Sequence, residues 1–147
     1  MIQIQPMTQA HVPAVAEIEK LCFSDAWSSL SITAELHNPL SLWLVAMDGQ
    51  TLVGYVGSQT VFPESDMMNL AVLPDYRHCG IAKMLVNALI ESLSANGANS
   101  LTLEVRISNL PAIALYEKLG FQTVGKRPNY YRNPKEDALI MRKEWTR

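Results

Sequence analysis

The chain has 147 residues, enough for one domain with a buried core and too few for two. Lys plus Arg number 12 against 14 Asp plus Glu, and the net charge of −2 with no long run of one sign argues against a general nucleic-acid binder. The longest apolar runs, such as LWLVAM, fall far short of the roughly 18 residues a spanning helix needs, and MIQIQPMTQ lacks the basic-then-apolar start of a secretory leader.

In chain order, IQIQPM reads as a short first strand. From Thr8 to about Cys22, the apolar residues Val12, Val15, Ile18 and Leu21 recur at helical spacing, with Pro13 obscuring the helix start. Ser28 or Ser29 can cap a second short helix that ends at Asn38-Pro39, where proline disfavours helix in the residue before it. LWLVAMDGQTLVGYVGSQTVF reads as two strands turning at Asp48-Gly49. MMNLAVL, almost wholly apolar, suits a central strand.

After Gly80 the period changes. Ile81, Met84, Leu85, Ala88, Leu89, Ser92 and Leu93 form a helical stripe, and Gly97 sits where a helix stop belongs. SLTLEV is a strand; Asn109 or its neighbour then opens a helix with Pro111 in its first turn. That helix carries Ile113, Leu115, Tyr116 and Leu119 and stops at Gly120. FQTVGKR and DALIMRKEW close the chain as strands, with Tyr130 and Tyr131 in the loop between them. The order describes one mixed α/β domain over residues 1–147. The helix crossing from LAVL to LTLEV implies one parallel strand pair in an otherwise antiparallel sheet.

The segment RHCGIAKMLV joins a strand to a helix. Free N–H groups and the helix dipole at such a terminus favour phosphate. Gly80 admits a ligand close to the backbone, Ala82 is nearly as small, and Arg77 and Lys83 add positive charge. The Lys-Ser/Thr of a nucleotide-hydrolysing loop is missing, so the segment suits holding a pyrophosphate rather than cleaving one. Taken alone, a lone glycine at a helix start more often has a purely structural role.

Arg77-His78-Cys79-Gly80-Ile81-Ala82 resembles the Arg/Gln-x-x-Gly-x-Gly/Ala motif of the GNAT superfamily, the acetyl-coenzyme A-dependent N-acetyltransferases. The resemblance continues through LTLEVRISNLPAIALYEKLGFQTVGKRPNYY and EDALIM, covering most of the chain in order. Within the superfamily, EVR-x-SN-x-x-AIALYE-x-LGF followed by NYY and EDA looks most like the branch that acetylates the N-terminal alanine of a small-subunit ribosomal protein. The resemblance implies a central, mostly antiparallel twisted sheet of about seven strands, one parallel pair splayed, flanked by about four helices. It also implies acetyl-CoA as co-substrate and a ribosomal-protein N-terminus as partner. No metal, direct nucleic-acid or membrane partner is expected, and a cytoplasmic monomer or weak dimer is the expected state.

Acetyl transfer from a thioester to an amine needs a base for an α-ammonium of pKa about 7.7–8.0, a donor for the oxyanion and a proton for the departing thiolate. Glu104 ends an apolar strand, where a carboxylate is unexpected unless it faces a site, and partial desolvation there would make it a stronger base. An ion pair with Arg106 or a solvated strand end accounts for it equally well. The resemblance carries the base role, through a water, onto Glu104. Tyr116, a phenol of reference pKa about 10, matches the family's general acid; packing in a helix stripe is its alternative reading. Asn109 matches a coenzyme-contacting position and can cap its helix at the same time. The resemblance also places the backbones of Leu70, Ala71 and Val72 at the thioester, and those of His78, Cys79, Gly80, Ile81, Ala82 and Lys83 at the coenzyme. Trp27 in FSDAWSS and Tyr131 in NYY match the acceptor side, although Ala26 stands where relatives often carry proline.

His11, His37 and His78 share no metal-ligand spacing, and Cys22 and Cys79 are too few for a disulfide framework. A nucleophilic Cys79 would need a base that the sequence does not show. A small-amine or lysine acceptor, and an acyl-coenzyme A sensor without turnover, are the competing functional readings. The presence of both Glu104 and Tyr116 counts against the sensor.

Overall fold

The computed structural model describes residues 1–145. Along them the chain runs β1 (Ile2–Pro6), α1 (Val12–Cys22), α2 (Ser29–Leu36), β2 (Ser41–Asp48), β3 (Thr51–Val61) and β4 (Glu64–Val72). It continues through α3 (Ile81–Ala95), β5 (Ser100–Arg106), α4 (Leu110–Lys118), β6 (Gln122–Arg132) and β7 (Lys135–Glu144). The strands form one seven-stranded sheet in the order β1-β2-β3-β4-β5-β7-β6, with β4 in the middle as its apolar sequence suggests. Neighbours are antiparallel except β4 and β5, the pair joined by the α3 crossover.

Period-two alternation sorts the core into two layers. On β2, Leu44 and Ala46 enter the cluster packed with α3, while Trp43 and Val45 enter the cluster packed with α1 and Ile32 of α2. Helix α3 buries Ile81, Leu85, Val86, Leu89 and Leu93, and its Met84, expected in the stripe, is exposed. In α1 the buried stripe is Val12, Val15, Ala16, Ile18 and Glu19, so Leu21 is exposed and a carboxylate takes the inward position. A short 3-10 turn over Gln9–His11 precedes α1, because Pro13 can occupy a first helical turn but not its interior. No helix among the described residues is long and apolar enough to cross a membrane.

The remaining boundaries follow their local chemistry. The Ser28 side chain accepts from the Ser31 N–H and caps α2. The β2–β3 turn is Gly49-Gln50, with Asp48 paired to Thr51 and Gly49 at φ +61°, one residue on from the expected Asp48-Gly49. Strand β6 runs longer than expected and includes Tyr130 and Tyr131, which therefore lie on a strand and not in a loop. Its pairing with β7 shifts between Arg127 and Tyr131, and there Asn129 adopts φ +54° and donates its N–H to the Asp137 carboxylate at 2.8 Å.

Gly57 on β3 lies directly under the Trp43 ring, so a Cβ at this position would overlap the indole. Trp43 is only 4% exposed and has no room to retreat. Gly57→Ala should therefore cost about 1–3 kcal/mol through overpacking. Chemical denaturation would register it as a lower midpoint with an unchanged slope.

Candidate active site

The parallel pair is short. Glu64, Ser65 and Asp66 of β4 pair with Ser100, Leu101 and Thr102 of β5, after which the strands run on to Val72 and Arg106 without pairing to each other. A bulge opens β4 at this point: Gly57 pairs with Asn69 and Ser58 with Met67, which leaves Met68 as the extra residue. Beyond the bulge the β3 register is regular, and the Leu73 N–H donates to the Val53 carbonyl at 2.8 Å. Antiparallel alternation then directs the Ala71 N–H toward β3 and the Leu70 and Val72 N–H groups toward the open edge.

A cleft of about 1270 Å³ occupies this gap. That exceeds the roughly 300–1,000 Å³ of a drug-sized site and suits a long ligand plus part of a second one. Leu70, Ala71 and Val72 line it from β4, and His78, Gly80, Ile81, Ala82 and Lys83 line it from the loop before α3 and the first turn of α3. Glu104 lines it from β5, Asn109 from the N-cap of α4, Tyr116 from α4 itself, and Trp27 and Tyr131 from the remaining walls. Thirteen positions separated widely in sequence thus meet in one cleft. Cys79 does not line it; this residue is exposed and its thiol donates to the Arg77 carbonyl at 3.5 Å.

The Gly80 loop has the geometry of an anion cradle. His78 (φ +64°) and Gly80 (φ +80°) are both left-handed, and Gly80 is the N-cap of α3. Successive N–H groups in such a turn converge at a helix terminus carrying partial positive charge. A Cβ at Gly80 would meet no protein atom, so glycine is required there by its backbone angle while the space in front stays open. Arg77 does not point freely into that space. Its Nε donates to the Val72 carbonyl at 3.1 Å and its Nη2 to the Cys22 thiol at 3.4 Å, tying the loop to β4 and the end of α1.

Glu104 has a partner other than the neighbour its sequence suggests. Arg127 of β6 places Nε 3.5 Å from the Glu104 carboxylate, while Arg106 pairs with Glu136 at 3.3 Å. The Glu104 side chain is about a quarter exposed. Tyr116 is 6% exposed, packs edge-on against Phe121 and directs its hydroxyl at the Met67 sulfur, 4.0 Å away. Burial, with a smaller contribution from Tyr131, pushes its pKa above the ordinary phenol value and keeps the proton on at neutral pH. Asn109 caps α4 by accepting from the Ala112 N–H at 3.3 Å.

Around Tyr131 the sequence signal was incomplete. The Arg106 guanidinium lies 4.2 Å from the Tyr131 ring centroid and also donates to the carbonyls of Pro134 and Asn133. Burial pushes the Tyr131 pKa up to about 12. The other oxygen of Glu136 accepts the Ser108 N–H at 2.7 Å. The hydrogen bond from Ser108 is the main reason the Glu136 carboxyl is held below its usual pKa; for Asp137 it is the bond from the Asn129 N–H. Groups with depressed folded pKa values add stability above the ordinary carboxylate pKa of about 4, and lose it as pH falls through the folded values. The share of stability these two groups supply should therefore grow as pH climbs to about 5, and the gap in thermal midpoint between wild type and Glu136→Gln should widen over that range.

Among the described residues no three His, Cys, Asp or Glu side chains group as a metal site. The His11 ring accepts the Thr8 N–H at 2.9 Å, a local structural role.

Residues 12–121 match the model of the acetyltransferase (GNAT) family. Ribosomal protein bS18-alanine N-acetyltransferase of Salmonella typhimurium is 37% identical over 144 residues, covering 96% of each chain. The crystal structure of the ribosomal-protein-S18-alanine N-acetyltransferase from Escherichia coli superposes with a TM-score of 0.92 at 33% identity, covering 100% of this chain and 96% of that one. The same fold recurs in Arabidopsis thaliana NAA60 in complex with acetyl-CoA, at a TM-score of 0.90 and 20% identity, covering 98% of this chain and 99% of that one. With the splayed β4–β5 pair, the glycine cradle and these matches together, the chain belongs to the acetyltransferase (GNAT) family.

Proposed function

We propose that the protein transfers acetyl from acetyl-CoA to the α-amine of an alanine-starting ribosomal protein of the small subunit. The observation that carries this reading is the single cleft through the β4–β5 gap. It joins a cradle suited to a pyrophosphate to a wall bearing a carboxylate, a buried phenol and two aromatic side chains. The bS18-alanine acetyltransferases that the chain resembles over 96% of its length support the choice of acceptor.

In this mechanism the α3 terminus and the loop before it hold the pyrophosphate, and the free N–H groups of Leu70 and Val72 bind the acyl end. Glu104, through a water, takes the proton from the acceptor ammonium. The neutral amine attacks the thioester carbonyl, forming the C–N bond, and the oxyanion is met by a β4 N–H group. As the C–S bond breaks, Tyr116 gives its proton to the sulfur and is reprotonated from solvent. Trp27 and Tyr131 wall the acceptor, and Asn109 contacts the coenzyme while capping α4.

The test compares alanine-starting peptides with free and blocked N-termini against polyamines, aminoglycosides and lysine side chains, scoring thiol release and product mass. Acetylation confined to free N-terminal amines supports the reading. Preference for a small amine or lysine, or coenzyme binding without thiol release to any amine, overturns it. Mass spectrometry of protein N-termini in cells lacking and then regaining the protein identifies the acceptor.

A further inference from the structure

The carboxylate of Glu19 is wholly buried in α1, outside the residues so far given a role. Its Oε1 accepts the Trp27 N–H at 2.9 Å. Its Oε2 accepts the Asn69 side-chain amide at 2.8 Å and the Tyr55 hydroxyl. Burial is the main influence on its pKa and raises it, and the donors from Trp27, Tyr55 and Asn69 oppose that rise.

Trp27 and Asn69 line different walls of the cleft. Asn69 stands on β4 between the bulge and Leu70, whereas Trp27 lies in the segment between α1 and α2 on the acceptor side. The contact is also closed by aromatic packing. Trp27 packs on Trp43 with centroids 5.6 Å apart, Trp43 stacks on Tyr55 at 6.0 Å, and Tyr55 returns to Glu19. A buried carboxylate with no donors is strongly disfavoured, so these three hydrogen bonds hold Glu19 and its partners in one arrangement.

Resting on the acetyl-transfer reading above, we infer that Glu19 is a positioning residue that sets the spacing between the acceptor wall at Trp27 and the thioester wall at β4. The amine and the thioester carbonyl must meet within about 3–3.5 Å, and a 1 Å error in placement costs on the order of 10²-fold. Glu19 touches neither reactant. It acts through Trp27 on the acceptor and through Asn69 on the strand that carries the Leu70 N–H.

The test compares Glu19→Leu, which fills the space but removes the acceptor atoms, with Glu19→Gln, which keeps an oxygen for the Trp27 N–H. The readouts are amide hydrogen exchange residue by residue, coenzyme affinity by calorimetry, and kcat and KM for an alanine-starting peptide. In Glu19→Leu, exchange at Trp27 should rise at least about tenfold with α3 unchanged. Peptide kcat/KM should fall about tenfold or more with coenzyme Kd held within about twofold, and Glu19→Gln should recover much of both losses. Unchanged exchange at Trp27, unchanged peptide kinetics, no recovery in Glu19→Gln, or a loss shared equally by α3 and coenzyme binding would each overturn the assignment. Should Glu19→Leu fail to fold, Tyr55→Phe takes its place under the same criteria with a smaller expected effect. If the wild type acetylates no peptide, the transfer reading falls, and the exchange result alone decides whether Glu19 holds the wall.

Discussion

Glu104→Gln should lower kcat for transfer to an N-terminal amine by about 10²–10⁴-fold, the range a well-placed general base supplies. The amide has nearly the same shape but no basicity, and Glu104 sits in a strand paired to β7 through Ile140, so the backbone around it has no reason to move. The coenzyme contacts proposed above lie on β4 and the α3 terminus, so coenzyme affinity should stay within about twofold of wild type. Stability should change by less than about 1 kcal/mol, because the lost pair with Arg127 involves a half-exposed cation. Arg127→Gln is the control. It removes the same ion pair and leaves the carboxylate, so a comparable loss in that variant would assign the effect to the pair and remove Glu104 from the base role. Steady-state thiol release, calorimetry and denaturation together read all of these outcomes.

Tyr116→Phe should lower kcat by about 10²-fold or more while leaving the fold intact. Phenylalanine keeps the edge-on packing against Phe121 at 5.6 Å and gives up only a long contact to the Met67 sulfur. The energetic loss of that contact is small, about 1 kcal/mol at most, so a large kinetic effect cannot come from unfolding. A coenzyme analogue whose leaving group is a weaker base than an ordinary thiolate separates the roles further. It needs no proton on departure, so the deficit of Tyr116→Phe should shrink with the analogue while that of Glu104→Gln persists. An equal deficit with both leaving groups would place Tyr116 in packing rather than in proton transfer.

Much of the architecture was legible along the chain because local chemistry sets it. The Ser28 and Asn109 caps, the glycine at the β2–β3 turn, the glycine at the start of α3 and the switch from period two to period 3.6 act within a few residues of themselves. The helix crossing after β4 is enough to require a parallel neighbour. The same legibility extended to candidate residues whose type was odd for its setting, such as a carboxylate at the end of an apolar strand. Glu19 carried a comparable signal, an acidic residue at an inward helical position among Val15, Ile18 and Cys22, but Leu21 offered a competing stripe one position away.

Pairings across the sheet had no such local signature. Arg106 is two residues from Glu104 and alternates to the same face of β5, yet Arg127 holds Glu104 and Arg106 goes to Glu136 and Tyr131. The Met68 bulge decides which β4 groups reach the cleft, and it shows only in the register against β3. Tyr130 and Tyr131 belong to β6 because β7 pairs past a shifted register, which their own sequence does not encode. Chemistry-bearing residues and helix ends are properties of short stretches, whose energies are spent within a turn or two of backbone. The width of the cleft, the partner of each charge and the link from Glu19 to Asn69, fifty positions along the chain, depend on which strands meet and at what offset. Only the folded sheet decides those, because hydrogen-bond register and burial are collective properties of strands far apart in sequence.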